Sequence, residues 1–214
     1  MSPLMRRALV ALVALAVVAL PQPAAAADRP PDRCAKPKSR TVRANPSIRV
    51  YRLHSALWGC RQRTGRTMRL DDALSCGSIA CSGSSVAAIN GRWVALVHPG
   101  TRNLAEIGGP ADAYLQLADV VERRTRMIYR TETGPIQYAD IPEAAVTPGG
   151  RLAWMTELRE LRSSEPSRSI HVAGASGQFM VDQGGSEIGE RSLAISGTRA
   201  YWMHGDEPRS AVLP

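Results

Sequence analysis

The side chains that could carry chemistry are few. The histidines are His54, His98, His171 and His204, and no pair has the spacing of a metal-binding helix motif. His98 and His204 stand out because each ends a Trp-bearing stretch, Trp93–His98 and Trp202–His204. Each is followed by a turn, Pro99-Gly100 or Gly205-Asp206. If those stretches are equivalent repeats, both imidazoles lie at the same end of the fold. With Asp206 and Glu207 they would form a face carrying both base and acid, the minimum for a hydrolase or lyase. The plainer alternative, histidines exposed at turns, weighs more. The chain has no G-x-S-x-G elbow and no calcium-loop acid pattern. Gly174-Ala175-Ser176-Gly177 does not open a helix after a strand, as a phosphate loop must. No catalytic residue, metal or cofactor is assigned. His98, His204, Asp206 and Glu207 remain as a candidate binding set, and His54 and His171 are read as structural.

The cysteines are Cys34, Cys60, Cys76 and Cys81. An even number in an exported chain predicts two disulfides, and three connectivities are open. The favoured one closes Cys76–Cys81 locally and leaves Cys34–Cys60 to staple the N-terminal tail to the first repeat. A four-cysteine zinc site is disfavoured, since the spacing lacks paired C-x2-C knuckles.

Export is read from the N-terminus. Arg6 and Arg7 precede the apolar run Ala8–Leu20, Pro21-Gln22-Pro23 breaks it, and Ala24–Ala27 offers small residues for cleavage. This is the pattern of a secretory signal, too short to span a bilayer as a mature helix. No cysteine follows the run directly, so a lipoprotein anchor is not expected. The expected organisation is a signal peptide at 1–27, a Pro- and Arg-rich tail at 28–46 and one domain at 47–214. The formal charge is +8, or +6 once residues 1–27, with two Arg and no acid, are removed. Nearly all the cations are Arg, as in GC-rich coding. No basic block is interleaved with aromatics, so nucleic acid is not an expected partner. A weak attraction to anionic envelope polymers is compatible with the charge. Among the acids, Asp71, Asp72 and Asp140 are read as turn residues. Glu157 and Glu160, with Arg159 and Arg162, are read as a solvated charged face.

The elements that must position these residues are short strands. Val86–Ile89, the Asn90-Gly91 turn and Arg92–His98 read as a hairpin. Ala144–Val146, the Thr147–Gly150 turn and Arg151–Thr156 repeat the phrase. So does Ser192–Ile195 with the Ser196-Gly197-Thr198 turn and Arg199–His204, and Ile48–Cys60 is a looser copy. Glu157–Pro166 is read as an exposed hairpin tip. Trp58, Trp93, Trp154 and Trp202 sit in comparable strands, about 35, 61 and 48 residues apart. Those intervals lie around the length of a four-stranded propeller blade. The tryptophans are expected to pack between sheets rather than to serve as sugar-stacking platforms.

With Arg151–Met155 and Arg199–Met203 as its best copies, the repeat resembles the β-propeller families with TolB-like or WD-type blades. It is most similar to secreted proteins of GC-rich bacteria that end in a unit like Ser196–Leu213. No WD dipeptide is present. The resemblance implies an all-β, propeller-like array of about four small blades, with a β-sandwich as the alternative. It also implies that the last unit, having only three strands, is completed by Thr41–Ala44 or Ile48–Arg52. The function expected on this basis is an exported, non-enzymatic module that binds a protein or cell-envelope component through loops on one face. The alternative is an extracytoplasmic hydrolase or lyase using the His98/His204 face.

Overall fold

The computed structural model describes residues 32–71, 84–100, 111–134 and 136–214. Cys76, Cys81 and Asp72 lie outside the described residues, as does the expected signal segment at 1–27. No helix among the described residues is long and apolar enough to cross a membrane.

The described chain is all-β. Four antiparallel sheets follow one another in sequence. The first contains β1 (Arg40–Ala44), β2 (Ile48–Leu53), β3 (Ala56–Arg61) and β4 (Thr67–Arg69). The second contains β5 (Ser85–Asn90), β6 (Trp93–His98), β7 (Tyr114–Asp119) and β8 (Arg124–Arg130). The third contains β9 (Gln137–Val146), β10 (Leu152–Glu160), β11 (Ser167–Gly174) and β12 (Gly177–Gly184). The fourth has three strands, β13 (Ala194–Ser196), β14 (Arg199–His204) and β15 (Glu207–Val212). Within each sheet every strand pairs with its sequence neighbour. These are blades, and their number excludes a two-sheet sandwich.

The blades pack face to face in chain order. Ile48, Val50, Leu57 and Leu70 of the first blade meet Val94, Leu96 and Val120 of the second. Ala95, Val97 and Leu117 of the second meet Leu152 and Trp154 of the third. Ala153, Met155 and Ile170 of the third meet Ala200 and Trp202 of the fourth. The strand sequences carry this order. β6 and β10 are buried on both faces, so they read as nearly continuous apolar runs. β14 alternates exposed and buried, because only the face bearing Ala200, Trp202 and His204 meets a neighbour. The other face leaves Tyr201 and Met203 exposed.

The opposite end of the array is covered by the tail. Cys34 is bonded to Cys60, as the sequence suggested, and packs on Tyr51 beside Leu53 and Trp58. Arg49 reaches back to donate to the Cys34 carbonyl at 2.8 Å.

The structure corrects four local expectations. The N-terminal segment does not complete the last blade: Thr41–Ala44 lies in β1 and pairs with β2, and the fourth sheet keeps three strands. The tail's disulfide and Arg49 contacts hold it against the first blade. The second-blade turn is also shifted by one residue. Asn90 pairs with Trp93, so Gly91-Arg92 are the central pair, and Gly91 takes the positive φ of 53°. Glycine at the first central position is the II′ arrangement, and Gly197 and Gly205 repeat it at φ 57° and 61°. Trp58 lies on the third strand of its sheet, whereas Trp93, Trp154 and Trp202 lie on the second. Finally, Glu157 is not part of a solvated face. It is buried and paired with both Arg159 and Arg168. The bulge between Met155 and Glu157 accompanies this inward placement.

Candidate functional site

The first strand of each blade, β1, β5, β9 or β13, is an edge of its own sheet. Consecutive first strands lie side by side and together line a groove. At one end of it, a cavity of ≈ 490 Å³ is bordered by all four strands or their turns, including Arg43, Ala88, Asn90, Ala145, Thr147 and Ile195. A second cavity of ≈ 630 Å³ adjoins it and shares Thr147, Pro148 and Gly197. It is bordered in addition by Arg126 on β8 and Arg151 just before β10.

Hydrogen bonds between blades hold this end in place. Asn45 Nδ2, just past β1, donates to the Gly91 carbonyl at 3.0 Å. Asn90 Nδ2, at the end of β5, donates to the Val146 carbonyl at 3.0 Å. Each Asn thus satisfies a turn or strand end of the next blade. Gly150 is required by contact as well as by its φ of 79°: a Cβ there would stand 2.6 Å from Trp93 Cε2. The indole of one blade is therefore seated on the turn of the next.

At the other end of the groove, a cavity of ≈ 360 Å³ is bordered by Arg43, Ser85, Glu143 and Leu193. Glu143 Oε2 accepts from the Leu193 N–H at 2.9 Å, linking the third blade to the chain leading into β13. Burial raises the Glu143 pKa, against the opposing effect of that hydrogen bond and of Arg191.

His98 and His204 end second strands, so they lie at the end of the blades away from the Gly91 and Gly197 turns. His98 is buried. It hydrogen-bonds Ser84 Oγ at 2.8 Å, and its Nε2 lies 3.4 Å from Gln116 Oε1. Burial lowers its pKa, outweighing the Gln116 bond and the nearby Asp71 charge. His204 faces the third blade, with Nδ1 3.0 Å from Asp182 Oδ2 and Nε2 4.0 Å from Glu187. Asp206 and Glu207 are exposed in and after the β14–β15 turn, and Glu207 lies 3.8 Å from Arg209. His204, Asp206 and Glu207 thus share one hairpin. His98 has no partner in common with them among the described residues.

Two groups escaped the sequence reading. Asp182 on β12 accepts from Trp202 Nε1 at 2.6 Å and from Arg209 at 3.1 Å, in addition to its His204 contact. Burial pushes its pKa up, but the His204 and Trp202 bonds and the Arg209 charge leave it below the usual carboxylate value. The only signal was a lone acid in an apolar strand. The second group is Arg43, Arg126 and Arg151, which nothing in an Arg-rich sequence distinguishes from the rest.

No protein-family model matches the chain, and no curated protein matches it. Among solved structures it is similar to a chain from a structural and mechanistic study of two prolyl endopeptidases. The two are 12% identical with a TM-score of 0.36. The match covers 78% of this chain and 26% of that one, so this chain spans about a quarter of its length.

Proposed function

We propose that the chain is an exported, non-enzymatic binding module. It engages a protein or cell-envelope ligand through the groove at the end of the blades that carries the Gly91, Thr147–Gly150 and Gly197 turns. The observation that carries this proposal is the pair of adjoining cavities meeting at Thr147, Pro148 and Gly197. Three of the four first strands reach that end through turns locked to one another by Asn45 and Asn90. A concave site on a rigid scaffold, reached by loops from several elements, suits recognition. Export is supported by the Arg6–Ala27 pattern and by the Cys34–Cys60 disulfide, which persists in oxidising compartments.

The test is retention of the purified mature protein on native envelope preparations. Thr198 borders the groove and is exposed, so Thr198→Trp fills it without touching the core. Retention is expected to fall at least tenfold in that variant and to stay unchanged in Asp206→Asn/Glu207→Gln. The reverse pattern contradicts the proposal.

The hydrolase or lyase alternative keeps one supporting observation. Asp182 orients His204 through Nδ1, as an acid orients a general base. It requires that His204→Gln abolish an activity while leaving the fold intact.

A further inference from the structure

The turn end of the groove is one-sided in charge, whereas Glu143 borders the cavity at the other end, which Arg43 also reaches. Arg43, Arg126 and Arg151 border the two adjoining cavities, and no Asp or Glu is among the described residues lining either. Elsewhere on the described surface, arginines commonly find acids. Arg92 pairs with Asp119, Arg130 with Asp112, Arg159 with Glu157 and Arg209 with Asp182. The three groove arginines make no ion pair and no side-chain hydrogen bond among the described residues. They come from three separate blades, on β1, on β8 and just before β10. Arg126 sits opposite Leu117 on the β7–β8 ladder, on the face that packs toward the third blade. This places it beside the turn that leads to Arg151.

The space between them is kept open by small residues. Gly149, Gly197 and Ala175 border the second cavity. A Cβ built on Gly197 would meet nothing within 4 Å, and one on Gly149 would meet only Thr147 Oγ1 at 3.8 Å. A guanidinium presents a planar fork of donors that fits carboxylate or phosphate oxygens in pairs.

We infer that the groove binds an anionic ligand bearing phosphate or carboxylate groups, held by Arg43, Arg126 and Arg151. The inference rests on the groove being the binding face and adds the chemistry of its occupant. Repeated anionic groups along a polymer suit three cations spread over adjoining cavities better than a single small ion does.

The experiment is calorimetric titration of the mature protein with linear polyphosphate, poly-L-glutamate and inorganic phosphate. At least one polymer is expected to bind, with an affinity that falls as salt rises. Which polymer binds tighter distinguishes a phosphate from a carboxylate source. Arg126→Ala/Arg151→Ala is expected to weaken that binding tenfold or more, and adding Arg43→Ala to weaken it further. Because the three side chains make no ion pairs, the thermal midpoint should hold within a few degrees, which separates lost binding from lost folding. Arg63→Ala/Arg162→Ala removes the same charge from exposed loops elsewhere and should change affinity less than twofold. The inference fails if neither polymer binds the wild type, if the groove variants bind as tightly as the wild type, or if the loop variant loses as much affinity as the groove variant. Envelope retention separates the two claims. If Thr198→Trp abolishes retention and the arginine variants do not, the groove remains the binding face and its anionic occupant is wrong. If none of them changes retention, the binding face itself is wrong.

Discussion

The Trp202 indole donates to the Asp182 carboxylate at 2.6 Å, across the boundary between the third and fourth blades. The fourth blade has one neighbour and three strands, so this boundary is its main attachment. Asp182 also receives His204 and Arg209, which makes it the polar hub of the contact.

Asp182→Ala should therefore loosen the last blade first. It leaves the indole N–H without its acceptor and strips one partner from two cations, a loss of roughly 2–4 kcal/mol. Hydrogen exchange should show faster opening in β13–β15 than in β6 and β10. The pKa of Asp182 is held below its ordinary value, so its stabilising effect is present above the unfolded carboxylate pKa and is lost as pH falls through the folded one. The wild type should lose protection in the fourth blade on acidification, and Asp182→Asn should lose little more.

His171 gives a second, separate pH effect. It is buried, stacked on Trp154 at 5.3 Å, and burial lowers its pKa from 6.5 to about 4. Between those values the unfolded chain binds the proton and the folded chain does not, so stability falls as pH drops from about 6.5 toward 4. The full effect is roughly 3 kcal/mol. Asp140 and Glu143 act in the opposite direction, because burial raises their pKa values. Urea unfolding of the wild type and of His171→Phe at pH 7 and pH 4 isolates the histidine. The difference between the two proteins should shrink or reverse at the lower pH.

Trp154 is fully buried, and its Nε1 has no hydrogen-bond partner among the described residues. Trp154→Ala should cost about 3–5 kcal/mol from the cavity it leaves. Trp154→Phe should cost much less, because it also removes an unsatisfied buried donor. Thermal unfolding checks the order. If the alanine variant melts near the wild type, the ring is not core.

The Cys34–Cys60 bond spans 26 residues and pins the tail over the exposed end of the first blade. On loop-closure entropy alone, replacing both with alanine should cost about 3–4 kcal/mol. Chemical unfolding of that variant should show the loss.

The strand pattern and most turns were legible because they are local. Gly197 and Gly205 mark hairpins whose first central residue needs positive φ, and the apolar runs at Trp93–His98 and Leu152–Met155 announce strands buried on both faces. What covers each sheet was not legible, because that depends on contacts far apart in sequence. The tail could cap the first blade or close the last, and a disulfide with the Arg49 contacts decided it. Glu157 was misjudged for the same reason: Arg168, eleven residues on, draws it inward. The groove arginines were hidden by composition. What distinguishes Arg43, Arg126 and Arg151 is that none of them makes an ion pair among the described residues, and no spacing in the chain encodes that.

On the binding account, ligands enter the groove at the turn end of the blades. The most direct measurement places a photo-crosslinking side chain at Thr198, on the groove, and in a second variant at Asp206, in the β14–β15 turn near His204. Both are irradiated in native cells. Crosslinks to an envelope component from position 198, with none above background from position 206, are the predicted result. Crosslinks from position 206 with none from 198 would contradict it.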